Sequence, residues 1–256
     1  MLQTWLYALP FLLGAGFLTW LVSVQLRNVT IVDTLWSLMF VLAAFCYASQ
    51  TMPLEPRAQL VLALVTVWGL RLAIYLGKRN FGHEEDRRYA KLRRRREPGF
   101  AWKSLYLVFG LQAMLAWIIS LPLLGAIAGD VSPLGWLDYA GAALCLVGLY
   151  FEAVGDWQLT RFKADPANAG QVMDRGLWGL TRHPNYFGDF CVWWGFGLIA
   201  LAAGAWWSLV GPAIMSILLL RVSGVTLLER DIGKRRPGYA EYIRRTNAFF
   251  PGPRRP

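Results

Sequence analysis

Seven apolar stretches, each close to the ~20 residues an α-helix needs to cross the hydrocarbon of a bilayer, constrain this chain more than any other feature. They run roughly over Thr4–Leu26, Ile31–Ser49, Arg57–Gly77, Ser104–Leu124, Leu134–Gly155, Tyr186–Ala203 and Ala205–Ser223. In hydrocarbon every backbone N–H and C=O must find a partner within the chain, so stretches of this length become helices. The expected fold is therefore all-α, a polytopic membrane protein of about seven transmembrane helices. Between the last two stretches Ala202-Ala203-Gly204 leaves room only for a tight turn. Basic residues concentrate in Lys78–Lys103, Arg161–Arg182 and Arg230–Arg255, which follow the third, fifth and seventh stretches and so share one side. Lys- and Arg-rich connections lie on the cytoplasmic side, which puts the N-terminus outside and the C-terminus in the cytoplasm.

Composition agrees. The chain is 56% hydrophobic and holds 13 tryptophans, with a mean hydropathy of +0.38. Tryptophan is enriched where aromatic rings sit at membrane interfaces. A net charge of +10 can mark a nucleic-acid binder, but confinement of that charge to three segments reads as topology, and no nucleic-acid or protein partner is expected. Cys46, Cys145 and Cys191 lie far apart in apolar stretches, without metal-ligand spacing or a disulfide framework. The first stretch lacks a basic start and a small-residue cleavage site, so it reads as a retained span. One membrane-embedded domain over residues 1–256 is expected, with a cofactor-binding half from about residue 134.

Polar residues at membrane depth are costly and mark function. Thr30 suits the N-cap of the second helix. Asp33 follows in its first turn, where the helix dipole favours a negative charge. Asp33 and Trp36, at i and i+3, share a face. In the third stretch Trp68, Arg71 and Tyr75 also share one; Arg71 either snorkels or meets an anionic ligand or a buried carboxylate. His83-Glu84-Glu85-Asp86 offers a single imidazole, and no metal site is expected. Lys91-Leu92-Arg93-Arg94-Arg95-Arg96 suits anionic lipid headgroups, and a phosphorylated cofactor is a second possible partner. Gln112 and Pro122 carry no functional expectation. Glu152 and Asp156, at i and i+4, share a face near the end of the fifth helix, with Lys163 two turns on. Carboxylates there suit ribose hydroxyls or an amide, and Lys163 or Arg161 a phosphate; the alternative is an ion-pair cluster tying helix to loop. Arg221, Val225 and Glu229 line one face at the end of the seventh stretch. The aromatic and basic tail from Pro237 to Pro251 suits the headgroup region.

Gly176-Leu177-Trp178-Gly179-Leu180-Thr181-Arg182-His183-Pro184-Asn185-Tyr186-Phe187-Gly188-Asp189 is the richest segment. Pro184 fits the first turn of a helix, whose free N–H groups favour an anion. Arg182 adds a forked cation, His183 and Asn185 add donors, and Gly188 permits close backbone approach. Asp189 lies one turn inside an apolar helix.

These residues resemble the signature of the steroid 5-alpha-reductase-like membrane proteins, in which the segment closes over NADPH. The shorter Arg-His-Pro-x-Tyr-x-Gly form is similar to the S-adenosylmethionine site of isoprenylcysteine and phospholipid methyltransferases. Further matches extend along most of the chain. They are Asn-x(4)-Asp-x-x-Trp, Trp-x-x-Arg-Leu, Glu-Asp-Arg-Arg-Tyr, Glu-x(3)-Asp-Trp-Gln-Leu and the Tyr-x(6)-Thr-x(4)-Pro tail, and together they look like the bacterial branch of the reductase-like proteins. The resemblance implies a seven-helix enzyme of the bacterial inner membrane that takes NADPH from the cytoplasm and reduces a carbon–carbon double bond. It implies that Asp156, Lys163, Asn185, Asp189 and Arg221 face the cofactor, with Arg182 and Tyr186 close by. Arg71, Glu152, His183 and Glu229 join them as cofactor-side candidates. The Gln-Glu pair with which steroid-reducing members grip a 3-keto group is absent, Asp33 lies in the comparable region, and Trp68 takes the tyrosine's place. The expected substrate is an apolar, membrane-dissolved enone, steroid-like or another unsaturated lipid, with Asp33 as acid and Tyr75 as second candidate. The alternatives are an S-adenosylmethionine-dependent lipid or isoprenylcysteine-type methyltransferase, and a non-catalytic membrane scaffold.

Overall fold

The computed structural model describes residues 1–222 and 238–255. Among them the regular structure is entirely helical. Nine helices matter below: α1 (Leu2–Leu26), α2 (Ile31–Ser49), α3 (Pro56–Asn80), α4 (Arg87–Arg96), α5 (Phe100–Ala128), α6 (Trp136–Ala164), α7 (Pro184–Ala202), α8 (Trp206–Arg221) and α9 (Tyr239–Arg245). Five of them, α1, α2, α3, α5 and α6, are long and apolar enough to cross a membrane. The sixth and seventh expected spans correspond to α7, which carries Asp189, and to α8, a shorter apolar helix. The tight turn between them is present, with Gly204 at φ 72.

The chain divides into two compact units, Met1–Gly135 with Ile199–Ser208, and Trp136–Leu198 with Leu209–Pro256.

In the first unit α2 packs between α1 and α3, and α5 packs on α1 and α2. Met39, Phe40 and Tyr47 of α2, Trp68 of α3 and Phe109 and Leu123 of α5 are fully buried. The outer faces are apolar too: Leu6, Phe11 and Leu18 of α1 and Val67, Leu70 and Ile74 of α3 are exposed, as suits helices whose solvent is lipid. Since lipid tails are as apolar as the core, association in such a medium rests on close packing and hydrogen bonds. Both are present. Trp5 and Trp117 stack at 3.8 Å and each donates its indole N–H to the other's carbonyl, at 3.2 and 2.8 Å. Tyr47 and Ser120 share a hydrogen bond of 2.7 Å. Gly69 lets α3 approach α2 so closely that a Cβ there would lie 3.1 Å from the Ser37 carbonyl oxygen. α5 is not uniform: Leu105–Gly110 is a π-helical turn, and the helix restarts after Ser120 with Pro122 in the new first turn, where its missing N–H is harmless. Arg57, expected only as the start of a span, is 4% exposed and donates to the Asp130 carbonyl at 2.9 Å and the Ser132 hydroxyl at 3.0 Å.

In the second unit a seam of Asp138, Gly141, Cys145, Gly148, Glu152, Gly155 and Asp156 is buried along α6. The alternating three- and four-residue steps from Asp138 to Gly155, with Asp156 four residues after Glu152, make one helical stripe. The stripe meets α7 through glycines. A Cβ on Gly188 would fall 2.5 Å from the Gly148 carbonyl oxygen and 2.7 Å from Glu152 Cγ.

Candidate functional site

The seam ends at the segment that the sequence marks as its richest. Gly176, at φ 59, a conformation natural only to glycine, turns the chain into the short helix Leu177–Leu180. Gln158 on α6 accepts from Leu177 N–H at 3.0 Å, and the Trp178 indole donates to the Gly155 carbonyl at 2.9 Å. The loop is thereby fixed to the end of α6. α7 then begins at Pro184, as proline's preset φ favours.

The unit brings together Glu152, Asp156 and the segment Arg182–Asp189. Glu152 is 2% and Asp156 4% exposed. A Cβ on Gly155 would meet Pro184 at 3.2 Å, and Gly188 lies against Glu152, so two buried carboxylates face the first turn and a half of α7. His183 is buried and stacks on Tyr186 with centroids 5.5 Å apart. Asn185, Tyr186 and Asp189 are half-buried. Lys163 is exposed in the last turn of α6, where Arg161 covers the Trp157 ring. Arg221 is exposed in the π-helical turn Leu218–Val222. Glu229 lies outside the described residues.

Arg182 has a role that spacing could not disclose. It is 8% exposed, and its Nη1 donates to the carbonyls of Ile243 (3.1 Å) and Thr246 (2.6 Å). Its N–H donates to Asn247 O at 2.9 Å, Thr181 Oγ1 to Phe249 O at 2.8 Å, Gly252 N–H to Leu180 O at 3.1 Å, and Tyr242 O–H to Trp178 O at 2.6 Å. Burial pushes the Tyr242 phenol up from its ordinary value. The segment therefore straps the C-terminal tail down. Phe249 and Phe250 pack edge-on against Phe187 and Phe190. Asp138, fully buried at the start of α6, is a further carboxylate that sequence reasoning missed; its place in a helix's first turn was the available signal.

The first unit holds Asp33, Arg71 and Tyr75. Arg71 and Tyr75 are half-buried on α3, below the buried Trp68, and Arg79 lies over the Tyr75 ring. Asp33 is gripped by α4: Tyr89 O–H donates to Oδ1 at 2.6 Å and Arg88 to Oδ2 at 3.0 Å, and Gln112 Nε2 approaches the same phenol at 3.4 Å. Burial and the carboxylate of Asp33 push the Tyr89 phenol up. Arg88, which also pairs with Asp86 at 3.0 Å, is held above its usual value because these acids outweigh its burial. Next to them Arg93 forks onto Glu85, both contacts 2.8 Å, and Glu85 also accepts from Val29 N–H at 3.0 Å. Burial pushes the Glu85 carboxyl up, but these donors outweigh it and leave it below the usual carboxylate range. Asp86 is depressed likewise, burial being outweighed by Arg88. Thr30 does begin α2, but not by capping it: its hydroxyl accepts from Asp86 N–H at 2.8 Å. Tyr89 and Arg88, and Gln112 through Tyr89, are neighbours of Asp33 that spacing did not reveal.

Residues 19–246 match the family described as "Protein of unknown function (DUF1295)". An uncharacterised protein of Schizosaccharomyces pombe (strain 972) is 24% identical over 285 aligned positions, covering 94% of this chain and 80% of its own length. No solved structure matches significantly.

Proposed function

The chain belongs to the DUF1295 family, and we propose that it is an NADPH-dependent reductase of a carbon–carbon double bond in an apolar, membrane-dissolved substrate. The observation that carries the reading is the corner of α6 and α7. There two buried carboxylates, Glu152 and Asp156, face a glycine-opened helix start with His183, Asn185 and Tyr186 around it, and exposed cations flank the same end of α6. This donor set suits a dinucleotide. Carboxylates accept from ribose hydroxyls, Asn185 serves an amide, and Lys163 and Arg161 meet phosphate. NADPH, when bound, supplies the hydride.

The protein's own residues do the rest. Arg182 acts as a positioning residue, holding the tail on the segment. Asp33 and Tyr89 form a hydrogen-bonded carboxyl–phenol pair. In an enone the β carbon takes the hydride and the oxygen takes negative charge, so this pair is assigned to hydrogen-bond that oxygen and protonate it; the resulting enol tautomerises, its proton moving to the α carbon, to the saturated ketone. Tyr75 is the second candidate. On the pattern of the basic segments, the cofactor entrance is assigned in this proposal to the cytoplasmic side of a bacterial inner membrane.

Titration of the purified protein with NADPH and with S-adenosylmethionine tests the reading. NADPH binds saturably and more weakly as salt rises, since phosphate contacts are partly screened. Lys163→Ala weakens it about tenfold to a hundredfold, the worth of a charged hydrogen bond. Arg182→Ala both weakens it and opens the tail to proteolysis. Saturable S-adenosylmethionine binding without NADPH binding would replace the reductase by a methyltransferase.

A further inference from the structure

The helix α4, Arg-Arg-Tyr-Ala-Lys-Leu-Arg-Arg-Arg-Arg, sorts its charges by face. Tyr89 and Leu92 pack against the cluster of Trp20, Val29, Phe100 and Phe109, and on that inner side Arg88 and Arg93 meet Asp33, Asp86 and Glu85. Arg87, Lys91 and Arg94, at i, i+4 and i+7, fall on the opposite face, and Arg95 lies at its edge, on the stripe of Arg88. All four are exposed and form no ion pair among the described residues. A topology signal needs only basic residues in any order. Here the arginines that find carboxylates pin the helix, and the pinned helix presents an unneutralised cationic row.

The position of that row is fixed as well. Phe81, which ends α3, is 87% exposed, and Trp102 and Tyr106, one turn apart at the start of α5, are 70% and 62% exposed. Aromatic rings bared at the ends of apolar helices sit at headgroup level. α4 is joined by short connections to both helices. It is also held by Asn28 donating to His83 O at 3.3 Å and by the contacts of Glu85 with Val29 and Arg93. These ties keep the cationic row beside the ends of α3 and α5 that carry the exposed rings.

We propose that the outer face of α4 is a binding surface for the headgroups of anionic phospholipids. The phosphodiester charge complements the row, and arginine's fork matches phosphate oxygens. The surface stands whether or not the reductase reading holds.

The test uses the full-length protein in bilayer nanodiscs of mixed phosphatidylcholine and phosphatidylglycerol, with spin-labelled forms of each as probes. At low salt phosphatidylglycerol is immobilised about tenfold in preference, since each basic residue near an anionic surface counts for a sizeable factor. The preference collapses at about 1 M chloride, where the screening length falls to about 3 Å. Neutralising the row with Arg87→Gln, Lys91→Gln, Arg94→Gln and Arg95→Gln also removes it. Arg87→Lys, Arg94→Lys and Arg95→Lys together retain it. Should the neutral variant fail to insert, the salt titration of the unaltered protein decides alone. Equal immobilisation of the two lipids at low salt, or a preference indifferent to salt, overturns the proposal. So does inorganic phosphate abolishing the preference at an ionic strength where chloride does not, which would mark a free-phosphate site.

Discussion

The two units solve the same problem, holding carboxylates in an apolar protein, in opposite ways. In the first, Asp33 and Glu85 are stitched by side chains of α4: a phenol at 2.6 Å, guanidinium groups at 2.8 and 3.0 Å. In the second, Glu152 and Asp156 sit on a glycine seam where α6 and α7 come almost backbone to backbone. The first arrangement is electrostatic and answers to charge and pH; the second is steric and answers to volume.

The largest expected departure concerns Asp33. If it only anchors α4, Asp33→Asn lowers stability and leaves turnover intact. If it also serves the substrate, the purified variant binds NADPH as before and turns over about 10²–10⁴-fold more slowly, the usual worth of a general acid. Steady-state kinetics beside a nucleotide titration separate the two, and full turnover removes Asp33 from the mechanism.

Next comes the seam. Gly188→Ala puts a methyl group against the Gly148 carbonyl and Glu152, neither the free end of a flexible chain. Overpacking of this kind costs about 1–3 kcal/mol, visible as a lower melting temperature in detergent. Gly14 of α1, with nothing within 4 Å of its virtual Cβ, is the contrast: alanine there stabilises by about 0.5–1 kcal/mol through helix propensity. Equal responses at the two sites would erase the steric character assigned to the second unit.

The smallest effect is pH dependence. Glu85 and Asp86 are held below their ordinary values in the folded chain. Their contribution to stability is complete above the unfolded carboxylate range, about 4, and is lost as pH falls through their folded values. Hydrogen exchange, corrected for intrinsic rate, should show residues 85–96 loosening on acidification before residues 148–155. Simultaneous loosening would count against the electrostatic stitching of α4.

Much of the fold was legible. The bounds read for the second span, Ile31–Ser49, are those observed, because an apolar run between Asn28 and Gln50 has little choice of ends. The pairing of Glu152 with Asp156 on one buried face follows from helical spacing alone. Proline and glycine marked the start of α7 and the turn at Gly204. Less was legible where a polar group has several possible partners. Thr30 had a local use as a cap and a distant one at Asp86, and packing chose the distant one.

Hydropathy and period, both local properties, determined by themselves that this chain is helical, apolar and studded with charge at particular helix ends. The destination of each charge was decided only in three dimensions. Arg182 looks like a phosphate ligand by its neighbours, yet its guanidinium reaches Ile243 and Thr246. Arg88 and Arg93 look like two more members of a basic run, yet they are the ones that meet acids. A hydrogen bond is satisfied by whatever the packed helices bring within reach, and for Arg182 and Arg88 those partners lie tens of residues away along the chain.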